Sequence, residues 1–466
     1  MPKANKRDIA DFEKLAARWA KLRQRFAPKQ AGMWAHSSGA GPGARQGWKL
    51  HLAATVLSAN DLLQRCGEIL LSSGFQFKMA ATLVEISKLN SGSHYGRWQV
   101  GKVVTVYLPD AVDAKRLAER LHQKIGSLPC PEIPSDRRFK PGSNVFYRYG
   151  GYDKTKMLKD GRMLLAYRDP AGNLVHDMRT AATAVPKWMQ DPFRVAATVS
   201  KREPNKESAR DHARYRAVAA IRWRGAGGIY RALDMDVRPP RHCIIKEGLR
   251  HGSPSCDGVD GFEAVRNEAD VLTSLRARNV RVPRVQSLFY QRGNSYLVQD
   301  LIEGKSLAEL VDSQRLSLRK KTKIARQICD VVSSIHAAGW TWRDIKLSNF
   351  LYDGRNVWAI DLETGMPIRS RRPRSFRGTQ GHYLECPDPI TGKQALLVDR
   401  YALGVTLQRL FGGASERSTR YRKRLPATPG KIDPGIARLV RDLRDRNPKR
   451  RPSAAAALEI LARSMR

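Results

Sequence analysis

The chain has 466 residues, 84 of them Lys or Arg against 44 Asp or Glu, for a formal charge of +40. That length fits two or three domains, and 41% apolar residues suffice for packed cores. No stretch has the length and apolarity of a bilayer span or a signal peptide, so a cytoplasmic protein without a membrane span is expected. The charge suits nucleic acid, a membrane surface or phosphorylated substrates. Basic residues run along the whole chain instead of forming one tail, which makes nucleic acid a minor reading. Cysteines at 66, 130, 243, 256, 329 and 386 include no C-x-x-C pair. That argues against a disulfide framework or a zinc cluster and for a reducing compartment.

Residues 1–30 are charged and helix-forming, and "DFEKLAARWAKLRQRF" has the spacing of an amphipathic helix packed on a domain surface. "AGMWAHSSGAGPGARQG" (31–47) is rich in Gly, Ser and Ala and reads as a loop or linker, so 1–46 precede the first domain, 47–198. "QGWKLHLAAT" (46–55) alternates as a strand, with Trp48, Leu50 and Leu52 on one face and Lys49, His51 and Ala53 on the other. Downstream, "GFQFKMAATL" supplies Lys78, "SGSHYGRWQVGKVVTVYLPD" supplies Arg97, Lys102 and Tyr107, and "SDRRFKPGSNVFYRYGGY" supplies Arg137, Arg138 and Arg148. Lys102 has the opposite strand parity from Tyr107 and is set aside. The set has one His, one Tyr and no evident carboxylate partner, which fits neither a hydrolase triad nor a metal site. It fits β-elimination of phosphate from phosphoserine or phosphothreonine. That reaction needs a base for the α-proton, an acid for the departing oxygen and fixed cations around the phosphate. A Lys can be the base where burial or neighbouring cations lower its pKa.

"SKREPNKESARDHAR" (200–214) is polar and without apolar periodicity, and the interdomain boundary is set at 199–214. In 215–466 the motifs follow one order. "GAGGIYRALD" offers Gly225, Gly227 and Gly228 in a turn suited to covering phosphates. "CIIKEG" places Lys246 in a strand and "VRNEADVLTSL" places Glu268 on a helix, an ion pair that would aim the Lys at nucleotide phosphates. "YLVQDLIEGKSL" would hold a nucleobase edge through backbone groups from Asp300 to Ile302. "TWRDIKLSNFLYDGRNVWAIDLETG" (341–365) carries D-x-K-x-x-N and a second Asp. Asp344 suits orientation of a hydroxyl, Lys346 neutralisation of the moving phosphoryl group, and Asn349 with Asp361 a Mg²⁺ ion. "DRYALGV" contains Asp399, an anchor for the catalytic loop, and Arg451 of "RNPKRRPS" is the expected ion partner of Asp388. "RSRRPRSFRG" (369–378), with five Arg in ten residues, is equally a solvated loop or a cradle for an acidic or phosphorylated peptide.

These motifs resemble the protein-kinase superfamily, which implies a two-lobed fold, ATP or GTP as the nucleotide, and Mg²⁺. Two departures stand out. Trp342 replaces the His of H-R-D, at the expense of a structural hydrogen bond. D-L-E replaces D-F-G, putting Glu363 where a Gly usually allows a flexible turn; an always-on kinase is expected.

The upstream stretches, with "VPKWMQDPF" after them, resemble the lyase domain of class III lanthipeptide synthetases, itself similar to bacterial phosphothreonine lyases. The resemblance implies an α+β chain: a phosphothreonine-lyase-like domain followed by the kinase-like one. It implies a bifunctional dehydratase that phosphorylates Ser and Thr of a precursor peptide and then eliminates the phosphate. By motif, it implies His51 as general acid, Lys78 as general base, and Lys49 and Arg97 as phosphate ligands. Tyr107 would lie near the reacting carbon, and Arg137 or Arg138 and Arg148 would be further phosphate contacts. The family continues into a zinc-dependent cyclase that is not found after "AAAALEILARSMR", so the expectation is either a separate cyclase as partner or a product that stays uncyclised. The competing readings are a Ser/Thr kinase with a phosphopeptide-binding N-terminal domain, an effector acting on phosphorylated host proteins, and a kinase that binds nucleic acid.

Overall fold

The computed structural model describes residues 11–38, 43–108, 110–153, 155–193, 213–375, 377–379, 381–383, 388–413, 415 and 432–463. The boundary expected at 199–214 lies outside them up to residue 212. Among the described residues no helix is long and apolar enough to cross a membrane.

The chain opens with α1 (Phe12–Phe26), capped by Asp11, whose carboxylate accepts from the N–H groups of Glu13 and Lys14. Its apolar side buries Trp19 and Phe26, and the Trp19 indole donates to the Ala80 carbonyl at 3.1 Å. A hairpin follows, β1 (Lys29–Ala31) and β2 (Trp34–His36), turning at Gly32. This corrects the linker reading of 31–47. The strands are three residues each, too short for alternation to show through the Gly and Ser around them.

The remaining strands of this unit are β3 (Gln46–Ala53), β4 (Phe77–Ala80), β5 (Lys102–Leu108), β6 (Arg137–Arg138) and β7 (Val145–Gly151). They form a seven-stranded sheet in the order β1-β2-β4-β5-β3-β7-β6. Helices α2 (Ala59–Ser72), α3 (Leu83–Ser91) and α4 (Ala111–Ile125) share one core with Trp48, Leu50 and Leu52 of β3. This is the face expected to be buried. A second sheet of β8 (Lys156–Lys159), β9 (Arg162–Arg168) and β10 (Leu174–His176) adjoins β7.

The second unit begins with an antiparallel sheet of β11 (Tyr215–Arg224), β12 (Gly227–Asp234), β13 (Arg241–Gly248), β14 (Val285–Gln291) and β15 (Asn294–Asp300), ordered β11-β12-β13-β15-β14. Helix α5 (Gly261–Arg276) packs on it. The rest is helical: α6 (Leu307–Ser313), α7 (Leu318–Ala337), α8 (Gly392–Gly412), α9 (Pro434–Leu443) and α10 (Ala454–Arg463). Short strands β16 (Lys305–Ser306), β17 (Trp340–Thr341), β18 (Phe350–Tyr352), β19 (Val357–Ala359) and β20 (Met366–Pro367) lie among these helices.

The two units touch where the β11–β12 turn meets the end of α3. The Gly225 N–H donates to the Ser91 carbonyl at 2.8 Å. A Cβ on Gly225 would lie 1.6 Å from the Asn90 carbonyl oxygen, so only glycine permits the contact. Gly225→Val should therefore push the units apart. Thermal or urea unfolding is expected to show a loss of roughly 1–3 kcal/mol, with faster amide exchange over residues 90–98. Unchanged exchange there would mean that the contact does not persist in solution.

Candidate active sites

Antiparallel pairing puts directly opposed residues on the same sheet face. In the N-terminal sheet Lys78 opposes Thr105, and Thr105 opposes His51. Lys78 and His51 thus share a rung two strands apart, roughly 9–10 Å between backbones. On the neighbouring rung Tyr107 opposes Lys49, and Lys49 opposes Arg148. Five of the singled-out side chains are gathered by register alone: Lys49, His51, Lys78, Tyr107 and Arg148.

The sequence parity of Lys102 was misleading. Strands β3 and β5 slip in register between Leu52 and Ala53, so that Ala53 opposes Lys102 and not residue 103. This bulge rotates Lys102 onto the face of Lys49 and His51. It lies 3.0 Å from Asp136, whose other oxygen is bonded to His51 Nδ1. The His therefore has the carboxylate partner that the sequence reading denied it. A second carboxylate, Asp177, just past β10, accepts from Arg148 and lies 3.4 Å from Arg179. Asp136 was visible beside Arg137. Asp177 and Arg179 reach the site from another sheet and left no signal in the spacing.

Three expected residues behave differently. Arg137 opposes Tyr147, on the apolar-core face, and is bonded to Asp191 at 2.8 Å and to the carbonyls of Ala181 and Ala182. Arg138 shares the rung of His51, yet it lies over the Phe146 ring and is tied to Glu132 and the Ser143 carbonyl. Arg97 is outside the sheet, exposed, with its guanidinium 4.6 Å from the centre of the Trp223 ring in the second unit.

Burial, then Arg148, drive the Lys49 pKa well below its usual range; its ammonium donates to the Gly151 carbonyl. Burial, then Lys102, push His51 down to about 3 against the opposing pull of Asp136. Lys102 falls to about 8, again mainly by burial. Burial alone would raise Asp136, but Lys102 and His51 outweigh it and hold its carboxyl well below the usual range. Burial lifts the Tyr107 phenol to about 12. Lys78 Nζ sits 4.3 Å from the centre of the Trp34 ring. The resting site is thus a buried cationic pocket holding a neutral His and an ionised Asp.

In the second unit, Lys246 Nζ lies 2.7 Å from both oxygens of Glu268 and 3.1 Å from Asp361. Burial would lower this Lys, but Asp361 and Glu268 outweigh it and raise it. Glu268 also accepts from the Leu362 N–H at 3.0 Å, with Leu362 fully buried. This locks D-L-E inward, and the left-handed residue there is Asp361 (φ 64°), not Glu363. Asp344 accepts from Lys346 at 2.6 Å, and Thr379 Oγ1 donates to Asp344 at 2.7 Å while accepting from Lys346 at 2.9 Å. Thr379 had not been singled out. The Asn349 amide nitrogen donates to the Asp344 carboxylate, which leaves its oxygen for a metal.

A cleft of about 720 Å³ is lined by Lys246, Asp300, Ile302, Lys346, Asn349 and Asp361. Its oxygen donors, Asn349 and Asp361, suit Mg²⁺ shared with nucleotide phosphates. Among the described residues no cluster of three or more His, Cys, Asp or Glu could hold a metal without such help. Gly227 approaches β13 so closely that a Cβ would lie 1.7 Å from the Glu247 carbonyl oxygen. Asp399 accepts from the backbone N–H groups of Trp342 and Arg343, both at 2.7 Å, as expected of the catalytic-loop anchor.

Two expectations need correction. Trp342 does not forfeit a hydrogen bond, because its indole donates to the Asp361 carbonyl at 3.1 Å. Arg451 does not pair with Asp388; it donates to the carbonyls of Asp445 and Leu397 and lies over the Tyr401 ring.

Comparison with known proteins gives two family matches. The family described as "RamC, N-terminal domain" matches residues 14–205, and "Protein kinase domain" matches 245–461. The chain joins a RamC-type N-terminal domain to a protein kinase domain. It is 26% identical to the probable SapB synthase of Streptomyces coelicolor over 78% of this chain and 40% of that protein. It is 24% identical to serine/threonine-protein kinase D of Synechocystis over 53% of this chain and 51% of the relative. Kinase F of the same organism is 27% identical over 43% and 44%. The chain thus spans about half, or less, of the length of these relatives.

The depressed His51 has a measurable consequence. Between its ordinary value of 6.5 and about 3, the unfolded chain binds a proton that the folded chain refuses. Stability is therefore full above 6.5 and falls as pH drops toward 3, at up to about 1.4 kcal/mol per unit. Urea unfolding across that window should show the loss, and His51→Gln should flatten it. Equal slopes in both proteins would contradict the buried neutral His.

Proposed function

We propose that this chain phosphorylates Ser and Thr of a peptide in its kinase domain and then eliminates the phosphate in its RamC-type domain, leaving dehydroalanine or dehydrobutyrine. The observation that carries the reading is the register of β4, β5 and β3, which aligns Lys78 with His51 beside Lys49, Tyr107 and Arg148. A module that only bound phosphopeptide would need the cations, but not a candidate base and acid on one rung. The likeness to a protein named as a probable SapB synthase supports a peptide substrate.

In the kinase domain, Lys246, held by Glu268, points at the nucleotide phosphates. Asp344 orients the peptide hydroxyl, and Lys346 offsets charge on the phosphoryl group in transfer. Mg²⁺, held by Asn349 and Asp361 when bound, would neutralise the phosphates. ATP and GTP are both compatible with backbone recognition along 300–302.

In the N-terminal domain, Lys49 and Arg148 receive the phosphate, and Lys102 adds charge behind it. Lys78 takes the α-proton, the Cβ–O bond breaks as the Cα=Cβ double bond forms, and inorganic phosphate leaves. His51, as general acid, must be protonated when the bond breaks, and in the resting site it is not. The incoming phosphate dianion changes this. It cancels the repulsion of Lys102 and Lys49, and Asp136 then stabilises the imidazolium through Nδ1. The acid is thus charged only when the substrate is present.

Intact-mass analysis of a Ser/Thr-rich peptide treated with nucleotide and Mg²⁺ tests the reading. The wild type should yield product lighter by one or more waters. Lys78→Ala should stop at phosphopeptide, with elimination slowed by at least about 10²-fold. Asp344→Asn should leave the peptide unmodified yet still dehydrate a pre-phosphorylated one. Phosphopeptide as the end product of the wild type would leave a kinase with a phosphopeptide-binding domain.

A further inference from the structure

Between β13 and α5 a loop, residues 249–260, reaches down to the activation segment of the kinase domain. Asp257 on this loop is bound on both sides. One oxygen accepts from the Ser255 hydroxyl and from the Val259 N–H at 3.3 Å. The other accepts from the Ser375 N–H, in the arginine-rich stretch, at 3.0 Å. Arg377 completes the clasp by donating to Ser255 Oγ at 2.7 Å and to the Val259 carbonyl.

Behind the clasp is Arg343, the residue before the catalytic Asp344. It is 6% exposed and donates to the carbonyls of Thr364, at 2.6 Å, and Ser375, at 3.2 Å. The charges that act on it are Arg377 and Arg374, repelling, and Asp257 and Asp399, attracting. Asp399 is already committed to the catalytic-loop backbone. Asp257, Arg343, Arg372, Arg374 and Arg377 line a shared cavity of about 660 Å³.

Kinase activation segments are commonly ordered when a phosphate added to the segment pairs with arginines. Here three arginines of the segment and one of the catalytic loop converge, and an anion is already among them. Ser375 is 4% exposed, its N–H held by Asp257 and its carbonyl by Arg343, so it is closed to modification. Two residues past Arg377 is Thr379, which fixes both Asp344 and Lys346.

We propose that Asp257 is a positioning residue, a built-in anion that takes the place of an activation-segment phosphate. Through Ser375 and the surrounding arginines it holds Thr379, and through Thr379 the catalytic Asp344, so the kinase is competent as synthesised. The role depends on negative charge at this point, not on bulk. It rests on the kinase domain alone, and its failure would leave the peptide-dehydration reading untouched.

The test needs no peptide substrate. Hydrogen exchange over 364–379 is measured on the full chain, with intact mass recording whether it carries phosphate. The wild type should be protected there before and after phosphatase treatment. Asp257→Asn should exchange faster by about tenfold or more, the size expected for a lost charge-assisted hydrogen bond. In Asp257→Gly, inorganic sulfate or phosphate should restore protection by entering the vacated site, which loss of packing alone would not allow. Asp257→Glu should retain most of it. Unchanged exchange in Asp257→Asn, absence of anion rescue in Asp257→Gly, or loss of protection when phosphatase removes a group from the wild type would each overturn the proposal.

Discussion

Cations gathered out of water repel one another, and in this chain of charge +40 three of the places where they gather are organised by a buried carboxylate. Asp136 joins His51 to Lys102, Asp177 joins Arg148 to Arg179, and Glu268 holds Lys246. Removing such an anion would leave buried positive charge uncompensated, at about 3–5 kcal/mol each. These few acids decide where the many bases stand. The arrangement also explains why His51 is neutral at rest: Asp136 is shared with Lys102, so its single charge cannot also hold an imidazolium. The N-terminal site has room in its electrostatics for one more anion, and the substrate the site is read to take brings one.

The kinase half was legible because its parts are local. Asp344, Lys346 and Asn349 lie within six residues, and their hydrogen bonds close within the same loop or with Thr379 nearby. The N-terminal site is assembled from separate strands, with His51 and Lys78 27 residues apart, so the sequence could offer only side-chain types and parity. Parity served for Lys49, His51 and Tyr107, which lie in unbroken pairing. It failed at Lys102 because one bulge reverses every face assignment beyond it. It failed at Arg137 for another reason: two adjacent arginines must face opposite ways, and their letters do not say which faces in. The hairpin at 29–36 was missed because three-residue strands carry too little pattern to compete with glycine-rich surroundings.

The substitution of Trp342 for the usual His shows how a departure from pattern can be neutral in geometry. The large ring fills the space beneath D-L-E, packs edge-on against Phe350 at 4.9 Å, and its one N–H reaches the Asp361 carbonyl. The bond that a His would have made is made by a different ring from a fully buried position. With Leu362 buried and tied to Glu268, the segment has no exposed apolar side chain whose withdrawal would favour flipping outward.

The contact between the units falls at the β11–β12 turn and the stretch that follows α3. The β11–β12 turn, which would cover nucleotide phosphates, is bonded through Gly225 to Ser91, and Trp223 on β11 lies under Arg97. Between Ser91 and Arg97 are only five residues, one of them Gly92, in left-handed conformation against Trp223. A turn that closes over a nucleotide must move relative to the sheet below it. Here that turn is joined to the edge of the other unit by a backbone hydrogen bond to Ser91 and, through Trp223, by a cation–π contact to Arg97. Arg97 thus rests on a strand of the kinase unit, away from the rungs of Lys49 and His51 on which it was expected.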